Sequence, residues 1–223
     1  MCKGRILHEF YDRPERAVIQ ITSDEEFSKV AAEASERIQA LSDYISENYM
    51  GDIRIDKGIM NFPRRYLMTV SDVENYYSFI LDKHKRKNIS YTVLLIQTLE
   101  WTLYRTDVGL TARSMLCKLL ITLRGSIAEM LLIETVGEKN SLNSFAKRAK
   151  RLADTGVIDK SLEEELKWLW EMRCRIHLNK LDFAEHMIYS DTEATRAQRA
   201  VVGLRSALKE RAEFPKEDIP EMV

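Results

Sequence analysis

Glycine and proline are scarce in this chain of 223 residues, at 8 and 4. With 45% hydrophobic and 31% charged residues beside them, that scarcity excludes a fibrous or disordered chain and points to a soluble, mostly helical protein. Cysteine is nearly absent. Cys2, Cys117 and Cys174 are odd in number, far apart and form no CxxC, so neither a disulfide framework nor a zinc site is indicated. No group of His, Asp, Glu or Cys has metal-ligand spacing, and no GxxxxGK[ST], GxGxxG or GxSxG occurs, which argues against P-loop, dinucleotide-binding and serine-hydrolase chemistry. The reading is therefore of a protein without metal or cofactor. An excess of one charge is also lacking: the net charge is −1, so any nucleic-acid site has to be a local patch. Long apolar runs are missing too. Leu116 to Val136 is broken by Lys118, Thr122, Arg124, Glu129 and Glu134 and reads as a buried helix rather than a membrane span. The first ten residues lack the apolar run of a signal peptide, so the expectation is a cytoplasmic protein with no membrane partner.

What is present is helical periodicity. Val18 to Ile21 has the character of a short strand. Ser23-Asp-Glu-Glu26 forms a capping box, and Phe27, Val30, Ala34, Ile38, Leu41 and Ile45 repeat at helical spacing to about Tyr49, where Gly51 ends the helix. Residues 52–70 read as a small hairpin or an irregular connector. A second box, Ser71-Asp-Val-Glu74, opens a helix to about Lys85, whose basic end Lys83-His-Lys-Arg-Lys87 suits a helix C-terminus. A further helix starts at Asn88 or Ser90 and runs to Arg105. A long one, apolar round much of its circumference, covers 110–136 and is closed by Gly137. Ser141 opens a helix through Leu152, with Lys147 to Arg151 mostly outward. Ser161-Leu-Glu-Glu164 opens another to about Asn179, and a last helix spans 191–213. The fold class is all-α, an up-down helical bundle over 106–213 with an N-terminal helical extension over 1–105, one minor hairpin at most, and a tail at 214–223.

The helix 161–179 carries the residues that point to chemistry. Leu162, Leu166, Leu169, Met172 and Ile176 should face the core. Beside them Leu166, Trp170, Arg173 and His177 form a second seam, with Glu163, Glu164, Lys167 and Glu171 toward solvent. Arg173 and His177 lie four residues apart and stack on one face of a helix. An imidazole beside a fixed cation can take a proton from a hydroxyl while the cation neutralises charge on a phosphate. A Trp one turn earlier suggests a seam covered by another helix or a second subunit. The plainer alternative is a pair of surface side chains, with Glu171 close enough to Arg173 for a local ion pair.

Three blocks surround this pair: Leu123-Arg-Gly-Ser-Ile-Ala-Glu-Met-Leu-Leu, Phe145-Ala-Lys-Arg-Ala-Lys-Arg-Leu-Ala-Asp-Thr-Gly-Val-Ile-Asp, and Leu162-Glu-Glu-Glu-Leu-Lys-Trp-Leu-Trp-Glu-Met-Arg-Cys-Arg-Ile-His-Leu. Together, over about residues 110–212, they resemble the HEPN superfamily: a long apolar helix, a shorter helix ending in a turn, then a helix with an Arg-polar…His signature. The resemblance implies a small helical bundle that dimerises so that two Arg/His pairs share a cleft. It further implies a metal-independent endoribonuclease of a prokaryotic defence or toxin–antitoxin system, with RNA as substrate and an antitoxin or defence protein as a further partner. Arg173 takes the place of the motif Arg and His177 that of the motif His. Two features depart from the pattern. Three residues separate the pair where the family has four to six, and Cys174 stands where Asn, Asp or His usually follows the Arg. Some members are silent, so the alternative reading is a binding or scaffold module that docks a protein or nucleic acid.

In the active reading the ribose 2′-hydroxyl is the nucleophile. His177 moves the proton, Arg173 holds the phosphate bidentately, and products carry 2′,3′-cyclic phosphate ends. Trp170, Arg175 and His186 are weaker candidates for RNA contact or the dimer seam. His8 and His84 have no company. The basic runs 83–87 and 147–151, with Arg196 and Arg199, are either an RNA-backbone footprint or solvated helix faces.

Overall fold

A computed structural model of the chain describes residues 20–49, 62–63, 66–137, 144–175 and 184–213. Among these the fold is all-α. Its helices are α1 (Asp24–Asn48), α2 (Val70–Tyr76), α3 (Lys83–Arg105), α4 (Leu110–Val136), α5 (Phe145–Asp154), α6 (Lys160–Cys174) and α7 (Asp191–Glu213), with a 3₁₀ turn at Glu185–Ile188. No described residue forms a strand. Most of the region read as a hairpin, and part of the strand read at 18–21, lie outside the described residues.

The chain divides into two compact units, Met1–Phe62 and Pro63–Val223. The sequence grouped residues 1–105 apart from 106–213; here α2 and α3 belong with α4 to α7. Within the first unit, Ser23 caps α1 by accepting from the Glu26 N–H at 3.1 Å. The Glu26 carboxylate does not return to Ser23 but accepts from the backbone N–H and the hydroxyl of Thr22 at 2.9 and 3.0 Å. No residue of α1 is buried.

In the second unit, α4 is the central element and packs on α3, α5, α6, α7 and the 3₁₀ turn. Its Cys117, Leu120, Ile121, Ala128, Leu131 and Leu132 are fully buried. Residues buried on so many sides of one helix explain why the periodicity there looked apolar all round. α7 packs on it and on α6 and buries Ala194, Ala197, Val201, Leu204 and Leu208, the set expected from spacing. Each fully buried leucine contributes roughly 1.5–3 kcal/mol relative to exposure. Gly137, at φ +83°, ends α4 in a conformation that costs glycine little, and its N–H bonds to the Ile133 carbonyl at 2.8 Å.

Three local expectations are corrected. The box that opens α2 is Thr69 with Asp72, not Ser71 with Glu74. α2 stops at Tyr76, and α3 begins at Lys83 because the Asp82 carboxylate accepts from the His84 and Lys85 N–H groups at 2.8 and 3.1 Å. The basic run 83–87 therefore lies at a helix N-terminus, where the dipole disfavours cations. Burial of Ile80 and the bond from Arg86 to the Ile80 carbonyl hold that arrangement. The cap of α6 is Asp159, accepting from the Leu162 N–H at 2.7 Å, rather than Ser161.

Candidate functional site

α6 presents the two seams expected of it as far as it is described. Leu166, Leu169 and Met172 are buried, and Leu162 is half-buried. Ile176 and His177 lie outside the described residues, so of the two residues expected to act together only Arg173 has a described geometry. Glu163 departs from the solvent-facing expectation. It is 3% exposed, roofed by its own neighbours: Lys167 and Lys160 donate to it at 2.6 and 2.9 Å. These two contacts, Lys167 first, hold its carboxyl below the ordinary carboxylate value.

Arg173 is half-buried and fixed from three sides. Its guanidinium lies 4.7 Å from the centre of the Trp170 ring, one turn back on α6. At that distance the ring face attracts the cation. Trp170 is itself held by Phe145 of α5, stacked at 4.6 Å with the planes 10° apart. From α4, Glu129 accepts from the Arg173 Nη2 at 3.4 Å. The stem of Arg173 passes over Gly125, where an added Cβ would lie 3.0 Å from both Cβ and Cγ of the arginine. The Nε of Arg173 is buried and meets no acceptor among the described residues. Glu129 thus replaces Glu171 as the ion-pair partner, since residues two apart on a helix do not face each other.

Gly125, Glu129 and Phe145 are the site residues that the sequence reading missed. Gly125 and Glu129 stand four apart on α4, so a shared face was legible, but nothing local says which helix that face meets.

The weaker candidates disperse. Arg175 is exposed at the C-cap of α6, and its carbonyl accepts from the Tyr189 hydroxyl at 3.5 Å. That bond brings the 3₁₀ turn near the end of α6, and His186 stands exposed on the turn. No contact joins His186 to Arg173 among the described residues. Cys174 is exposed.

Several of the basic residues read as a footprint are engaged. Lys85 pairs with Glu134 at 2.6 Å, and Lys150 with Asp154 at 2.5 Å. Arg148, expected outward, is buried and donates to the Gly137 carbonyl. Arg196 grips Glu165 with two nitrogens, at 2.6 and 2.9 Å, over the ring of Trp168. Arg199 stays exposed. A cleft of about 880 Å³ between α6 and α7 is lined by Asp159, Glu165, Asp191, Arg196 and Arg199 among others. Neither Trp170 nor Arg173 borders it. Among the described residues no group of three or more His, Cys, Asp or Glu is placed to hold a metal ion, and no helix is long and apolar enough to cross a membrane.

Comparison of the chain with protein-family models, with curated proteins and with solved structures finds no match.

Proposed function

We propose that this chain is a metal-independent endoribonuclease of HEPN type, acting through Arg173 and His177. One observation carries the reading: Arg173 is pre-positioned on the helix that the resemblance singles out. The Trp170–Phe145 stack and the close passage over Gly125 restrict its side chain, while 30% of it stays open to solvent. A guanidinium held that way loses little entropy on gripping a phosphate. Its contact to Glu129, at 3.4 Å, is long for a charge-assisted bond and can yield to a phosphate.

In this reading Arg173 binds the scissile phosphate and neutralises the charge that grows in the transition state. His177 takes the proton of the 2′-hydroxyl or returns one to the leaving 5′-oxygen. The second acid or base comes from the partner copy of a homodimer, and the cellular setting is a cytoplasmic defence or toxin–antitoxin system. The resemblance alone carries the dimer and that setting.

A second reading is favoured by Glu129 itself. A carboxylate already on the guanidinium suits a silent HEPN-like module that docks RNA or a protein without cutting. Purified protein incubated with mixed RNA in EDTA separates the two. The active reading expects cleavage to 2′,3′-cyclic phosphate ends. That cleavage should fall at least 100-fold in His177→Ala and be strongly reduced in Arg173→Lys, which keeps the charge but loses the fork. Cleavage unchanged in His177→Ala overturns the assignment. Binding of RNA without cleavage supports the silent module.

A further inference from the structure

The turn between α2 and α3, the last turns of α4 and the last turns of α7 enclose a groove of about 300 Å³. Ile80, Leu81, Leu131 and Leu208 give it apolar walls, and Glu134 and Arg211 stand among them. That volume is small for a free ligand and suits the anchoring side chain of a peptide. Ile80, Leu131 and Leu208 are buried at its floor, while Leu81 at its lip is 87% exposed. A leucine there gains from a further apolar neighbour.

The unbalanced charge around the groove has one sign. Glu134 is neutralised by Lys85 at 2.6 Å. Neither Arg211 nor Arg86 has a carboxylate partner among the described residues. Arg86 gives one guanidinium nitrogen to the Ile80 carbonyl at 2.9 Å, and its buried Nε meets no acceptor among the described residues. The occupant that fits is a segment with a large apolar side chain and carboxylates close behind it.

Two segments outside the described residues leave from these walls. Residues 138–143 join α4 to Ser144 and read Glu-Lys-Asn-Ser-Leu-Asn, with a single apolar side chain. Residues 214–223 follow α7 just beyond Arg211 and Ala212, which both line the groove. They read Phe-Pro-Lys-Glu-Asp-Ile-Pro-Glu-Met-Val. Pro215 disfavours helical backbone at Phe214, which favours a chain that leaves the α7 axis beside the groove. Phe214 comes first, and Glu217, Asp218 and Glu221 follow with only Lys216 against them.

We propose that segment 214–223 docks on this groove of its own chain, with Phe214 seated against Leu81 and Leu208 and with Glu217 and Asp218 facing Arg211 and Arg86. Exposed ion pairs add little, so burial of Phe214 holds the segment and the charges set its direction. The short tether makes the contact intramolecular, so a modest affinity suffices. This inference stands independently of the Arg173/His177 reading.

The test reads the lip of the groove in the full chain carrying Leu81→Cys. Labelling of that thiol by a bulky maleimide is followed by mass spectrometry of the peptides. Removal of residues 214–223 should speed labelling about ten-fold, and Phe214→Ala about five-fold. Leu110→Cys, at a position 93% exposed at the far end of α4, should label at one rate in all these chains. A peptide of residues 212–223 added to the shortened chain should restore protection, and the same peptide with Phe214→Ala should not. Amide exchange over residues 79–81, in the chain without added cysteine, should rise on removal of the segment while that of α6 stays unchanged. Labelling at position 81 that ignores removal of the segment overturns the proposal and leaves the groove to a separate acidic, apolar peptide. An effect of removal that Phe214→Ala does not reproduce overturns it too. Protection that is lost on dilution also overturns it, and places the segment on a second copy.

Discussion

At Gly125 a single missing methyl sets where Arg173 can stand. Alanine normally outranks glycine in a helix by about 1 kcal/mol, so glycine here is held against its propensity. The reason is the 3.0 Å approach of the Arg173 Cβ and Cγ, which are near the backbone and cannot swing away. Gly203 of α7 makes a useful contrast, because its nearest neighbour is the mobile tip of Leu162 at 3.3 Å. We expect Gly125→Ala to lower stability by about 1–3 kcal/mol, the range for overpacking. Gly203→Ala should be neutral or slightly stabilising. Urea midpoints of the two variants decide it, and equal effects would refute the reading of Gly125 as a spacer for Arg173. At this scale the sequence shows the residue type of Arg173 and its helical neighbour Trp170, since both sit within one turn. It cannot show Phe145, Gly125 or Glu129 as their partners, because those meet α6 only through the packing of three helices.

Helix ends obey the nearest carboxylate or hydroxyl that can reach the free N–H groups, and α6 shows how much charge gathers there. Asp159 caps it, and Glu163 sits in the first turn under two lysines. The carboxyl of Glu163 is held below its ordinary value of 4.5, by Lys167 and then Lys160. Glu165 is lowered as well, by the guanidinium of Arg196. A depressed carboxylate contributes stability that is complete above its unfolded value and is lost as pH falls through the folded one. The thermal midpoint should therefore fall as pH drops below about 4.5. Glu163→Gln should start lower at neutral pH and show a shallower acid limb. Parallel acid limbs in variant and natural chain would sink the prediction. The bounds of α4 and α7 were legible in the sequence because one long apolar pattern defines each. The break between α2 and α3 was not. The lysines at 83–87 resemble a helix end, while the deciding contacts are the short-range cap of Asp82 and the burial of Ile80.

The bundle as a whole is joined by a buried cation. Arg124 of α4 is 3% exposed and donates to the Glu100 carboxylate of α3 and, at 2.8 Å, to the Ala194 carbonyl of α7. Burial pushes Glu100 up and Arg124 down, each toward its neutral form, although the pair's attraction opposes both shifts. The Cys117 thiol beside Asp191 is pushed up to about 12 by the same burial, which disfavours the nucleophilic thiolate. Removing one member of such a pair leaves the other charge covered and alone. Arg124→Ala should accordingly cost about 3–5 kcal/mol in chemical denaturation, and a loss under 1 kcal/mol would deny Arg124 this joining role. The all-α class was plain from composition and period. The polar joint was not, since Arg124 looked like one of several charges interrupting an apolar helix. The same residue has a consequence in time. Its bond to Ala194 spans 70 positions of chain, whereas Glu100 is 24 away. Closing the longer loop has the larger entropic toll, so α3 and α4 can meet early while α7 arrives late. The deficit of Arg124→Ala should then divide, slower refolding from the early Glu100 contact and faster unfolding from the late Ala194 bond, so this arginine sets both how quickly the folded chain forms and how long it lasts.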